Sequence, residues 1–310
     1  MSAAVQGESQ VTLPQLLDPD VFLAMDNLEL AGRGIADAVW LGRHGSIRRG
    51  AGVEFHSHRP YLGGDDLRRI NWALYARHRR LLMRESRQES LRPVYLLVDA
   101  TGSMSVAHGP WPKYRYAACV AAGLAHLATG QGDAPALGLL GSSLLEGQPA
   151  RTGSQHAMGI CATLAAHTAQ GRGDLTVAMN EARALCRQSG FVVLISDFFD
   201  KEDILLSELA QLRAQGHDVM ALQVLDPLET ELPVSGDFDF LDPETGERVR
   251  TSVEGLRASH SSKVAAWRQE LRTGALSAGL RWASVTTAEP IIPLLRSWIE
   301  GFPLLHEEGR

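Results

Sequence analysis

The chain has 310 residues, room for one large or two modest domains, and at 45% hydrophobic and 21% charged residues it reads as an ordinary globular protein. A net charge of −6 argues against a nucleic-acid binder overall, and no apolar run reaches the ~18 residues of a membrane span. Cys119, Cys161 and Cys186 are scattered like reduced core residues, not like a disulfide or zinc framework, and MSAAVQGESQ lacks the basic and apolar parts of a signal peptide, so the cytoplasm is the expected compartment.

Residues 1–12 are polar and read as loose. Residues 18–39 have helical spacing, with Phe22, Leu23, Met25, Leu28 and Leu30 on a broad face and Asp18 or Asp20 placed to cap it. Residues 43–92 carry twelve arginines, no lysine and five acids, a net +7 against −13 for the rest of the chain. That segment either meets an acidic partner or pairs with nearby carboxylates such as Glu54, Asp65, Asp66, Glu85 and Glu89. Pairing is the favoured reading, because base-stacking aromatics are sparse. Within it DDLRRINWALYAR predicts a short helix, and the alternation in LLMRESRQE predicts a strand pairing with the one before Asp99.

Val94 to Val98 is an apolar run suited to a buried strand, and Asp99 ends it. Thr101 and Ser103 follow at alternate positions around Gly102, which lets the backbone turn. A helix is expected from Lys113 to about Thr129. PALGLL and Ser143 to Leu145 predict a strand and its hairpin partner. Residues 156–168 predict an amphipathic helix whose His156 and His167 lack Cys or Glu neighbours and read as surface or core residues. LTVAMNEARALCRQ predicts another helix. FVVLI then predicts a buried strand ending in Ser196-Asp197, followed by the helix KEDILLSELAQLRAQ and the strand HDVMALQVL. Alternating strands and helices over 93–225 argue for a mostly parallel sheet covered on both faces. Around Pro243-Glu-Thr-Gly246 the pattern predicts a β-hairpin near 236–252; a polar helix over 255–275, a strand GLRWASV and a helix IPLLRSWIEGF close the chain.

Two buried strands that deliver Asp99 and Asp197 to one sheet edge, with two hydroxyls beside the first, would suit a magnesium-like ion, since ligands bind at the carboxyl ends of strands in open α/β sheets. The plainer alternative is that Asp99 caps a turn and the hydroxyls satisfy loop backbone groups.

DATGSM after one strand and SD after another resemble the metal-ion-dependent adhesion site of von Willebrand factor A domains, with Thr101 where the first Ser of Asp-x-Ser-x-Ser stands. The segment EFHSHRPYLGGDDLRRINWALYARHRRLLMRE is similar to the signature of a bacterial family known as domain of unknown function 58. The match runs through Glu54-Phe55, Arg59, Tyr61, Gly64, Asp65, Asp66, Arg68 or Arg69, Ile70, Trp72 and Ala76-Arg77, and extends to GHDVMALQVLDPLE and DPETGE. The resemblance implies an α/β fold with a Rossmann-like, mostly parallel sheet over residues 91–310 and an N-terminal helix and Arg-rich signature segment over 1–90. It implies a Mg2+ or Mn2+ site of Asp99, Thr101, Ser103 and Asp197, with Asp174 or Thr176 as further candidates. There the ion keeps one position open for a partner's carboxylate. It also implies a MoxR-type AAA+ ATPase as partner, acting on a client protein, with no nucleic acid and no integral membrane segment. Two departures stand out. Gly173 in Gly-Asp-Leu replaces the family's usual Thr, and Asn71 replaces the Asp before the tryptophan. The expected function is a non-enzymatic binding adaptor. Its rivals are a scaffold with a vestigial site and a metal-assisted hydrolase, the last disfavoured because no nucleophile–base pair and no Gly-x-x-x-x-Gly-Lys loop is present.

Overall fold

Six short runs of the sequence become the strands of one sheet, and the four central ones are largely apolar because helices cover both of its faces. The computed structural model describes residues 27–43, 58–60, 75, 82–84, 92–199, 202–232, 236–241, 246, 248–253, 255 and 257–301. By compactness the chain divides into residues 1–43 with 91–310, and residues 44–90. The helix α1 (Leu28–Arg43), expected to stand with the Arg-rich segment, thus belongs to the unit of the sheet.

In the unit of residues 44–90, β1 (His58–Pro60) pairs antiparallel with β2 (Leu82–Arg84), placing Arg59 opposite Met83. The expectation that the LLMRESRQE strand pairs with the one before Asp99 is therefore corrected. That strand is β3 (Pro93–Asp99), and it already has a parallel neighbour on each side.

The sheet unit continues with α2 (Lys113–Gly130), β4 (Ala134–Leu140), β5 (Leu144–Gln148), α3 (Ser154–Ala166) and α4 (Leu175–Ala182). Then come β6 (Phe191–Ser196), α5 (Glu202–Ala214), β7 (Asp218–Leu225) and the short α6 (Pro227–Glu231). The hairpin β8 (Asp237–Leu241) and β9 (Arg248–Ser252) falls where the turn signal placed it, with Asp239 opposite Arg250. The chain closes with α7 (Arg257–Ser277), β10 (Arg281–Thr286) and α8 (Ile291–Gly301).

The sheet order is β10-β7-β6-β3-β4-β5, parallel except for β5. Counting only its own six strands, this is the doubly wound 3-2-1-4-5-6 order, and the winding reverses between β3 and β6. Alternate strand residues supply the two layers. Leu96, Val98, Val193, Ile195 and Leu222 pack under α1, α2, α3 and α8. Tyr95, Leu97, Val192, Leu194 and Ala221 pack under α4, α5 and α7.

The first helix differs from its expectation in its buried face. The described helix begins at Leu28, where the Asn27 side-chain oxygen accepts from the amides of Glu29 (3.0 Å) and Leu30 (3.2 Å); Asp18, Asp20, Phe22, Leu23 and Met25 lie outside the described residues. Leu30 is 54% exposed, and the buried stripe is instead Leu28, Ala31, Ile35 and Val39. That spacing keeps a single face against α2, where a Cβ on Gly32 would stand 2.7 Å from the Ala122 methyl. Among the described residues no helix is long and apolar enough to cross a membrane.

Candidate functional site: the rim at the ends of β3 and β6

The register pairs Val98 with Ile195, so β3 and β6 end side by side at Asp99 and Ser196. This is the point at which the winding reverses and where open α/β sheets bind their ligands. Asp99, Thr101, Ser196 and Asp197 are all buried; Ser103 is half-buried.

Asp99 is held by neutral groups. Its Oδ1 accepts from the Thr101 amide (2.9 Å), and its Oδ2 accepts from the Ser196 hydroxyl (2.6 Å). Burial, and then the negative charge of Asp197, push its pKa up to about 7, against the pull of those hydrogen bonds. After Asp99 the chain enters a single 3-10 turn, Gly102–Ser105, with Met104 buried beneath it. The Thr101 and Ser103 hydroxyls lie 3.1 Å apart and bond each other. The connection between α3 and α4 lies along this turn: Gly102 donates to the Gly171 carbonyl (2.8 Å), and Gln170 donates to that of Ala100 (3.1 Å).

Asp197 has a different setting. Its Oδ1 accepts from the Phe199 amide (3.1 Å), and its Oδ2 accepts from the ammonium of Lys113 (2.8 Å). Lys113 is the first residue of α2, and its side chain is fully buried. It also donates to Glu229 Oε1 (2.5 Å) and lies 5.1 Å from the centroid of the Phe199 ring. Burial pulls the Lys113 pKa down, but the carboxylates of Asp197 and Glu229 outweigh it and hold it above the ordinary lysine value. Burial pushes Glu229 above the ordinary carboxylate range, against the pull of Lys113. The geometry decides for a charged lysine, since an ammonium within 2.8 Å of two carboxylate oxygens is strongly favoured over a neutral amine.

The turn that presents Asp197 is tight. Phe198 has φ +61°, the left-handed region, and is held there by its amide on Ser196 Oγ (3.1 Å) and by its ring against Trp282 at 5.0 Å. Phe199 stacks on Trp267 with centroids 4.8 Å apart. Beyond β7, Asp226 is fully buried and accepts from the amides of His108 (3.0 Å), Gly109 (2.7 Å) and Leu228 (2.8 Å). Glu229 closes the capping box of α6 by accepting from the Asp226 amide (2.7 Å).

The four principal expected site residues, Asp99, Thr101, Ser103 and Asp197, are thus brought to one rim. Asp174 caps α4, its Oδ1 accepting from the Val177 amide at 3.4 Å, and Thr176 lies in the first turn of that helix. Arg59 lies in β1; Glu54, Tyr61, Asp65, Asp66, Arg68, Trp72 and Arg77 lie outside the described residues. Three participants were not foreseen as such: Lys113, Asp226 and Glu229. The available signals were a lysine heading an otherwise apolar helix and the Asp-Pro-x-Glu of a capping box.

The donor set can be tested against a divalent ion. In its favour, the 3.1 Å between the two hydroxyls is close to the edge of an oxygen octahedron with bonds of about 2.1 Å. Three observations weigh the other way. Each of the four carboxylate oxygens of Asp99 and Asp197 already accepts a hydrogen bond. A Cβ at Gly173 would stand 2.2 Å from the Thr101 methyl, so Thr101 itself fills the space where a third hydroxyl-bearing side chain would start. A buried ammonium already neutralises Asp197. As placed, these residues do not fit a divalent ion.

A family described as protein of unknown function DUF58 matches residues 57–270, more than two thirds of the chain. The chain belongs to the DUF58 family. Uncharacterised proteins of Mycobacterium tuberculosis and Mycobacterium bovis are each 32% identical over 260 residues, 82% of this chain and 81% of theirs. Among solved structures, BatB of Bacteroides thetaiotaomicron is similar over 68% of this chain and 98% of its own, at 16% identity and a TM-score of 0.47. The SpRpn10 VWA domain is similar over 69% and 96%, at 10% identity and 0.42. This DUF58 chain has a Rossmann-like, mostly parallel sheet, with the hairpin inserted after β7.

Proposed function

We propose that this DUF58 protein is a non-enzymatic protein-interaction adaptor that docks a partner at the rim of β3 and β6. By the family resemblance it works with a MoxR-type AAA+ ATPase in the maturation or assembly of client protein complexes. The observation that carries this reading is the meeting of two strand-end loops at the reversal of the winding, with their acids internally bonded and the half-buried Ser103 at the surface.

The lack of enzymatic chemistry has its own support. The Thr101 and Ser103 hydroxyls bond each other instead of a base, and the Ser196 hydroxyl, which does bond Asp99, is fully buried. Away from the rim, Cys161 Sγ lies 3.7 Å from His126 Nε2, the pairing a thiol nucleophile needs. Burial pushes that thiol up to about 12 and the imidazole pKa down, which keeps both neutral. A scaffold with a lapsed site is the second reading, and the space that Thr101 fills at Gly173 favours it.

Co-expression with the MoxR-type ATPase of the same organism, followed by size-exclusion chromatography, tests the proposal. Ser103→Trp should break the complex while the chain stays folded, as circular dichroism checks. A complex indifferent to Ser103→Trp moves the docking surface elsewhere, and no complex with the wild type removes the ATPase from the proposal.

A further inference from the structure

We propose that the ammonium of Lys113 is the resident cation of the rim, standing in for the divalent ion that this architecture suggests, so that Asp197 and Glu229 are paired without metal. The inference goes beyond the docking proposal and does not depend on it.

The first support is a broken local rule. A helix N-terminus favours acids and disfavours cations, yet Lys113 opens α2, no acid lies in that first turn, and Pro112 provides no side-chain cap. Burying an ammonium there is costly unless it is paired. The chain brings the pairing from far away: Asp197 is 84 residues distant and Glu229 is 116. A residue placed against local preference and supported by two remote acids marks a site rather than a packing accident.

The second support is where the charge sits. It contacts Asp197, the acid at the β6 end, at 2.8 Å, and it faces the Phe199 ring that follows that acid. The third is that Gly173 supplies no side-chain donor, and the Thr101 methyl fills the space where one would start. The cluster thus holds a buried cation beside Asp197 and no side-chain donor at Gly173, and both features lower the need for a metal. A consequence follows for recognition. The rim offers no open coordination position to a partner carboxylate, so a partner reads it through hydrogen bonds at Ser103 and its neighbours.

The test uses the full chain. Free Mn2+ is followed by electron paramagnetic resonance as protein is added, and melting is measured in excess EDTA and in excess magnesium chloride. For the wild type, the Mn2+ signal should keep its full amplitude and the two melts should coincide. Lys113→Met should melt well below wild type, and the charge-free triple variant Lys113→Met/Asp197→Asn/Glu229→Gln should regain at least half of the loss. Should Lys113→Met not fold, the triple variant decides: folding supports the proposal, and failure overturns it. Stoichiometric Mn2+ binding by the wild type, a magnesium-dependent melting shift, or a triple variant no more stable than the single one would also overturn it. None of these readouts involves a partner, so the docking proposal stands or falls separately.

Discussion

Asp99 and Asp197 end neighbouring strands of one sheet, yet the fold treats them oppositely. Asp99 is bonded only by an amide and a hydroxyl, and burial beside a second acid lifts its pKa to about 7. Asp197 is clasped by a buried ammonium that also holds Glu229. The difference teaches that position at a strand end does not decide what a carboxylate does there. The partners brought in from other elements decide it, and they come from α2 and α6 for one acid only.

Removing each acid in turn is the strongest way to break this comparison. Asp197→Ala should cost about 3–5 kcal/mol, because it strips a buried ammonium of one of its two partners. In a thermal melt this amounts to a fall of roughly 10 °C. Asp99→Asn should behave differently, and its effect should depend on pH. The Asp99 pKa is higher in the folded chain than the ordinary 3.8 of the unfolded one, so its contribution is fully present below about pH 4 and is lost as pH rises through about 7. The loss is on the order of 4 kcal/mol at most. Urea unfolding at pH 5 and pH 8 should show wild type weakening, whereas Asp99→Asn should be flatter and at pH 8 no less stable than wild type. An Asp99→Asn variant with the same pH slope as wild type would erase the contrast.

A smaller effect probes the space between the loops. Gly173→Ala should cost about 1–3 kcal/mol by crowding the Thr101 methyl, and adding Thr101→Ser should recover part of it, a coupling that a double-mutant cycle measures. Smallest is the aromatic pair beside Asp197. A Phe199/Trp267 double-mutant cycle to alanine should give a coupling of about 0.5–1.5 kcal/mol.

Much of this was legible from residues alone. Strands buried on both faces read as unbroken apolar runs, so β3, β6 and β7 were visible, as was the hairpin around Gly246. Asp99 and Asp197 were visible because an acid directly after such a run has few structural reasons to be there. Lys113 was not, because a lysine at a helix start looks like any solvated charge until its distant partners are placed. The partner of β2 was misjudged because alternation marks a strand but not its neighbour. Asp226 was missed for a related reason: a capping acid before proline explains itself locally, and its hold on His108 and Gly109 appears only in three dimensions.

That hold has a consequence for motion. Residues 106–112 form a loop with Ala107, His108 and Pro110 exposed, a composition that ordinarily wanders in solution. Anchored through two amides to one carboxylate, the loop should show slow hydrogen–deuterium exchange at His108 and Gly109 despite its place at the surface. A surface stiffened before any encounter loses less disorder when something settles on it, which leaves more of each contact available as affinity.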